Sequence, residues 1–140
     1  MKIQVEIKGI DWIDEVAKEA EVCFRIRNSA YWAFCSPCDF SIGSLSNIEI
    51  NFLEDEEISY ETFFAYNINK EMKIVPFDNS RISYYCYGKI ISVNPIVVDC
   101  GDIQFDYGEF SSDKKVVGEY VYFVIARLDI LSRWYLVKFL

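Results

Sequence analysis

Gly88-Lys-Ile-Ile-Ser-Val-Asn-Pro-Ile-Val-Val-Asp-Cys-Gly-Asp-Ile-Gln-Phe-Asp106 and, after a polar loop, Val116-Val-Gly-Glu-Tyr-Val-Tyr-Phe-Val-Ile-Ala-Arg-Leu-Asp-Ile130 decide the fold. Short β-branched and aromatic runs are broken by turn residues at Asn94-Pro95 and at Asp99-Cys100-Gly101-Asp102. That is the pattern of antiparallel strands joined by tight turns.

The rest of the chain repeats this grammar. Residues 2–8 alternate, with Ile3, Val5 and Ile7 on one side and Lys2, Gln4, Glu6 and Lys8 on the other, so a half-buried strand is expected. Residues 21–27 return to period two, with Val22, Phe24 and Ile26 inward, and Asn28-Ser29 turns the chain into residues 31–35. A third run follows Gly43 and ends in Glu54-Asp55-Glu56-Glu57. Residues 74–77 and 81–87 read as extended, and the apolar end 134–140 reads equally as a strand or the end of a helix.

Two helices are expected. Asp11 is placed to cap one whose apolar positions are Ile13, Val16, Ala17 and Ala20. Ser59 is placed to cap a second over residues 60–68, with Ile58 and Phe63 as a hydrophobic staple and Asn69 as the stop. The predicted fold is mainly β with one or two short helices, in a single domain over residues 1–140.

With an offset of 75, residues 42–53 lie on residues 117–128 without a gap, and Gly43 falls on Gly118. Upstream, the turns at Asn28 and Asn94 and the cysteines Cys35 and Cys100 fall in the same order, if the second copy carries an insertion over residues 105–114. This outlines a pseudo-repeat, 21–58 and 86–130, of two small antiparallel meanders; convergence on a generic β pattern is the alternative. The order strand, turn, strand, glycine, apolar strand over residues 81–130 resembles oligonucleotide-binding-type and SH3-like partial barrels. The resemblance implies a fold and carries no functional residue.

Composition narrows the function. The 140 residues are 52% hydrophobic and 17% aromatic, enough for a packed core and a recognition surface. There are 22 acidic and 14 basic residues and no histidine, a net charge of -8. Residues 1–70 hold 13 acids and 6 bases, so the first half carries -7 of that charge. Nucleic-acid binding depends on Lys and Arg displacing counterions, so this balance favours a basic protein partner over DNA or RNA. The absence of a long apolar run or a basic-then-apolar start leads to the expectation of a cytoplasmic chain with no membrane partner.

Catalytic chemistry finds little support. Cys35-Ser-Pro-Cys38 has half-zinc-site spacing, but there is no second pair and no histidine, so buried thiols are expected ahead of a metal centre or redox dithiol. No phosphate loop, nucleophile elbow or dinucleotide fingerprint occurs. No enzyme activity, metal or cofactor is therefore expected.

The strongest candidate surface combines Glu49, Glu54, Asp55, Glu56, Glu57, Tyr60 and Glu61 with the aromatic set Tyr31, Trp32, Phe34, Phe63, Phe64 and Tyr66. Carboxylates steer a basic partner and tyrosines anchor it. The leading expectation is a non-enzymatic protein of immunity or antitoxin type, of bacterial character, that blocks the cleft of a basic nuclease-like toxin. The alternatives are an accessory or homo-oligomerising module of a larger assembly, and a single-stranded nucleic-acid binder.

Overall fold

The computed structural model describes residues 2–55, 58–109 and 112–132. The strands are β1 (Lys2–Asp14), β2 (Glu19–Ile26), β3 (Ser29–Cys35), β4 (Leu45–Glu54), β5 (Lys73–Phe77), β6 (Ser80–Ser92), β7 (Ile96–Asp99), β8 (Gln104–Gly108) and β9 (Tyr120–Ser132). One helix, α1 (Tyr60–Ala65), and a single 3-10 turn at Lys114–Val116 complete the described elements. The molecule is mostly β, as expected.

The strands make one sheet in the order β3-β2-β1-β4-β9-β6-β7-β8, with β5 on β6. It curls on itself, because Phe34 of β3 also pairs in parallel with Asp129 of β9. Strands β1, β2, β3, β9 and β4 thereby form a ring. On the other side, β8 comes up to β4 through side chains. The Phe52 ring lies 5.5 Å from Phe105 and 6.1 Å from Tyr107, and the Tyr107 hydroxyl donates to Glu54 Oε2 at 2.6 Å. Strands β6, β7, β8, β4 and β9 therefore form a second partial barrel, and β4 and β9 serve both.

The two glycine corners are built alike. Gly43 N–H donates to the Ile7 carbonyl at 2.7 Å, and Ile7 N–H donates to the Ser44 carbonyl at 2.9 Å. Gly118 N–H donates to the Ile90 carbonyl at 2.8 Å, and Ile90 N–H to the Glu119 carbonyl at 2.9 Å. Both glycines have positive φ, +86° and +95°, which a side chain would disfavour. Between the corners, Phe52 pairs with Leu128 and Leu53 with Arg127. Since the offset of 75 matches Phe52 to Arg127 and Leu53 to Leu128, the pairing has the form of a local two-fold.

Upstream the frame shifts by one strand. The Asn94 turn joins β6 to β7, so its topological counterpart is the turn between β1 and β2 and not the one at Asn28. Residues 105–114, read as an insertion, hold most of β8.

The expected helix at Asp11 does not form. β1 runs on to Asp14 and pairs with β2 through Asp11↔Glu21, Trp12↔Ala20 and Asp14↔Glu19. Asp14 instead anchors the turn, its carboxylate accepting from Val16 N–H and Ala17 N–H at 3.1 Å each. Val16 is 96% exposed, so the helical spacing of Ile13, Val16 and Ala17 has no core to face. Backbone pairing with a neighbouring strand outweighs a short amphipathic pattern of that kind.

The second helix does form, capped by Ser59, whose hydroxyl accepts from Thr62 N–H at 3.1 Å. Phe63 is fully buried and Ile58 packs partly against the core, as a staple requires. It stops at Ala65 instead of Ile68 because Asn67 is drawn into the sheet. The Asn67 amide donates to the carbonyls of Glu71 (2.9 Å), Val121 (3.1 Å) and Gly88 (3.4 Å), and its oxygen accepts from Glu71 N–H at 2.8 Å.

The interior contains Ile7, Phe24, Ile48, Ile90, Phe105, Phe123, Ile125 and Leu128, all essentially inaccessible. Where β3 leaves β9, a tyrosine continues the hydrogen bonding. The Tyr84 hydroxyl donates to the Trp32 carbonyl and accepts from Trp32 N–H, each at 2.8 Å.

Tyr84→Phe should cost about 2 kcal/mol, because it leaves two part-buried backbone groups unsatisfied. Burial also pushes the Tyr84 hydroxyl pKa up to about 12. A raised folded value contributes stability that is present below the ordinary tyrosine value of about 10 and lost as pH rises. Chemical denaturation across pH should therefore show a plateau from neutral pH, then a decline through about 12 that is shallower in Tyr84→Phe.

Candidate functional site

The sequence candidates separate in space. Glu49 lies in the middle of β4, in register with Lys2 of β1. Glu54 ends β4 and accepts from Tyr107. With Asp106 it borders a groove of about 430 Å³ whose floor includes Phe52 and Leu53. Asp55 and Glu61 are exposed, and Tyr60, 55% exposed, packs its ring 4.7 Å from that of Phe64. Glu56 and Glu57 lie outside the described residues, as does the apolar end 134–140.

The aromatic set divides as well. Tyr31 and Phe63 are core, so they are not surface anchors. Trp32 is covered by the Arg81 guanidinium at 3.5 Å and Phe34 by that of Arg127 at 4.2 Å. Only Tyr60 and Tyr66 of that set are well exposed.

A different aromatic surface takes shape on the outer face of β5, β6 and β9. Register places Val75, Tyr85 and Val124 in one row and Lys73, Tyr87 and Tyr122 in the next. Tyr66, from the end of α1, stacks on Tyr122 at 4.5 Å, and Tyr87 lies 5.1 Å from the same ring. Phe77 stacks on Tyr85 at 4.4 Å, and the Lys73 ammonium sits 4.8 Å above Tyr87. Tyr66 and Tyr85 remain 59% and 38% exposed, beside exposed Met72 and Val75.

Carboxylates border this platform. Asp55 N–H donates to the Val124 carbonyl at 3.2 Å, which ties the acidic end of β4 to the platform's edge. Glu71 is paired with Lys73, and each shifts the other: Glu71 titrates below its usual value and Lys73 above, chiefly through their hydrogen bond. Burial raises Tyr122 to about 12, so its hydroxyl stays neutral.

The platform was readable only in part. Alternation in residues 81–87 puts Tyr85 and Tyr87 on one side, and Tyr120 and Tyr122 alternate likewise. What the chain does not reveal is that β6 and β9 are neighbours with these sides aligned, or that Tyr66 reaches across from α1.

The four described arginines each face a carboxylate. Arg25 faces Glu6 (3.7 Å), Arg27 faces Asp102 (4.0 Å), Arg81 pairs with Asp11 and Glu21, and Arg127 pairs with Asp129 (2.7 Å). Among the described residues, no group of three or more His, Cys, Asp or Glu is arranged to hold a metal ion, and no helix is long and apolar enough to cross a membrane. Comparison with known proteins finds no matching family model, no similar curated protein and no similar solved structure.

Proposed function

We propose that the chain is a non-enzymatic protein-binding protein that docks a basic partner on the tyrosine platform, guided by Glu54, Asp55 and Glu61. The observation that carries this reading is the tyrosine set on one face of β6 and β9, at the acidic end of β4, where exposed Tyr66 stacks on buried Tyr122 beside half-buried Tyr87 and exposed Tyr85 stacks on Phe77. Tyrosine provides large contact area with little rotamer entropy to lose, and its ring face attracts Lys and Arg. Lys73 over Tyr87 is the same contact made internally. A net charge of -8 adds long-range attraction to a basic surface. In its sharper form, this is an immunity or antitoxin-type protein occupying the cleft of a nuclease-like toxin.

The nucleic-acid alternative is weakened by the arginines, each of the four described being opposite a carboxylate. Self-association through the same face is a second reading, favoured by Ile68, 83% exposed, next to Tyr66. Light scattering at micromolar concentration separates the two, a monomer supporting the hetero-partner.

The docking test uses Asp55→Lys with Glu61→Lys, leaving Glu54 in place because it accepts from Tyr107. Against a basic partner that co-purifies with the chain, association at low salt should slow by about tenfold, with folding stability changed by less than about 0.5 kcal/mol. Tyr66→Ala should act on the other rate and speed dissociation. Unchanged rates in both variants would remove the platform as the docking surface.

A further inference from the structure

Most edges of the sheet are closed. Phe34 of β3 pairs with Asp129 of β9, and the Tyr84 hydroxyl takes up both backbone groups of Trp32. β5 carries Lys73 and Pro76, which blunt an edge against further pairing. The seam between β4 and β8 differs. Phe52 and Phe105 meet beneath it with ring centroids 5.5 Å apart, but the two backbones do not pair.

Register shows which backbone groups line that seam. In an antiparallel ladder, alternate residues turn their N–H and C=O to the same side. Ile7 donates to the Ser44 carbonyl and accepts from Gly43 N–H, so Val5 and Ile3 face β4, and their partners Ser46 and Ile48 face β1. The described β1 register ends at Lys2↔Glu49. Carried on along β4, the alternation turns the N–H and C=O of Phe52 to the side that β1 has left. On β8, Cys100 N–H donates to the Ile103 carbonyl at 3.0 Å and Val98 pairs with Phe105, so Phe105 faces β7 and Asp106 turns its backbone outward. β8 ends the strand order, with no described strand beyond it.

Between these edges lies the groove of about 430 Å³ bordered by Phe52, Leu53, Glu54 and Asp106. That is within the range of ligand pockets, about 300–1,000 Å³. Phe52 and the 51%-exposed Leu53 make it apolar along β4, Glu54 and Asp106 give it negative charge, and its lining includes no Lys or Arg. A second copy would bring the same carboxylates and a net charge of -8, which opposes self-pairing there.

We propose that this seam takes up an extended, basic peptide segment of a partner as an added strand along β4. Its main chain pairs with Phe52 and continues the track that β1 leaves, with its other edge toward Asp106. Main-chain hydrogen bonds of this kind supply affinity, and alternate side chains supply specificity. Apolar side chains of the segment would lie on the Phe52 side, and Lys or Arg between them would meet Glu54 and Asp106. The groove is a different surface from the tyrosine platform, so either can fail while the other stands.

The probe is the fluorescently labelled peptide acetyl-Lys-Val-Lys-Val-Lys-Val-Lys-amide, followed by anisotropy on the intact chain. Two comparators keep its charge and side chains: one is N-methylated at every valine, the other at every lysine, so that each loses the donors of one edge. At least one of them should bind about tenfold more weakly than the parent, because it cannot pair with β4. Leu53→Lys, a change at an exposed position in the groove, should weaken the parent peptide by about tenfold. Val16→Lys makes the same charge change on the 96%-exposed β1–β2 turn and should weaken it by less than about twofold. Amide exchange at Phe52 should slow when the peptide saturates the wild-type chain. The proposal is overturned if the parent peptide does not bind at millimolar concentration, if both methylated peptides bind as the parent does, if Val16→Lys weakens binding as much as Leu53→Lys, or if the Phe52 amide is unaffected. It also fails if light scattering shows the chain alone to be a dimer in which that amide is already protected, since the occupant is then a second copy.

Discussion

Asn67→Leu should unfold the protein or leave it only marginally stable. The loss expected is on the order of 3 to 5 kcal/mol, because the leucine abandons two buried carbonyls, Gly88 and Val121, together with the Glu71 amide and carbonyl. Each unsatisfied buried group costs about 1–3 kcal/mol, and a domain of this size has only about 5–15 kcal/mol to lose. Leucine keeps the branched, four-heavy-atom shape of asparagine, so the change is chiefly one of polarity. Asn67→Asp separates polarity from donor capacity: a carboxylate accepts but cannot donate, and it would face carbonyl oxygens. Urea denaturation should rank wild type above Asn67→Leu, with Asn67→Asp at or below the leucine variant at neutral pH. An aspartate as stable as wild type would mean that the amide donors contribute little.

Gly88→Ala should be comparably damaging through a different mechanism. A Cβ there would lie 2.6 Å from the Asp99 carbonyl oxygen, 2.7 Å from Val98 Cγ1 and 2.8 Å from Cys100 Sγ. Two of these atoms belong to β7, which pairs with β6 from Lys89 onward, and the nearest is backbone. The strands must separate to admit one methyl group, which costs about 3 kcal/mol or more. Gly43→Ala offers the contrast. Nothing lies within 4 Å of its would-be Cβ, and the cost comes only from φ of +86°, roughly 1 kcal/mol. Thermal denaturation of the two variants should show a clearly larger loss for Gly88→Ala.

The strands were legible because period-two alternation survives wherever one face is buried, as Val22, Phe24 and Ile26 illustrate. The Ser59 cap was legible because its chemistry is local. The Asp11 helix misled because the pattern Ile13, Val16, Ala17 reports spacing and not what lies opposite it. The end of α1 misled because Asn67 answers to carbonyls on β6 and β9, far away in sequence. The offset of 75 was visible at the glycine corners, where spacing is fixed by a turn; upstream, different loop lengths shifted it by a strand. Of the candidate surface, Asp55, Tyr60, Glu61 and Tyr66 are exposed around α1, whereas Tyr31 and Phe63 serve the core. An aromatic ring in one dimension carries no sign for inside or outside. Tyr85, Tyr87 and Tyr122 join the platform only through the β6–β9 register.

The most direct measurement of the docking claim is hydroxyl-radical footprinting of the chain alone and bound to its basic partner, read at tyrosine, tryptophan and methionine side chains. Tyr66, Met72 and Tyr85, exposed in the free chain, should lose most of their reactivity in the complex, while Trp12 on the β1–β2 hairpin should keep its own. Protection of Trp12 with Tyr66 and Tyr85 still fully reactive would contradict the account and place the interface at the opposite end of the chain's first barrel.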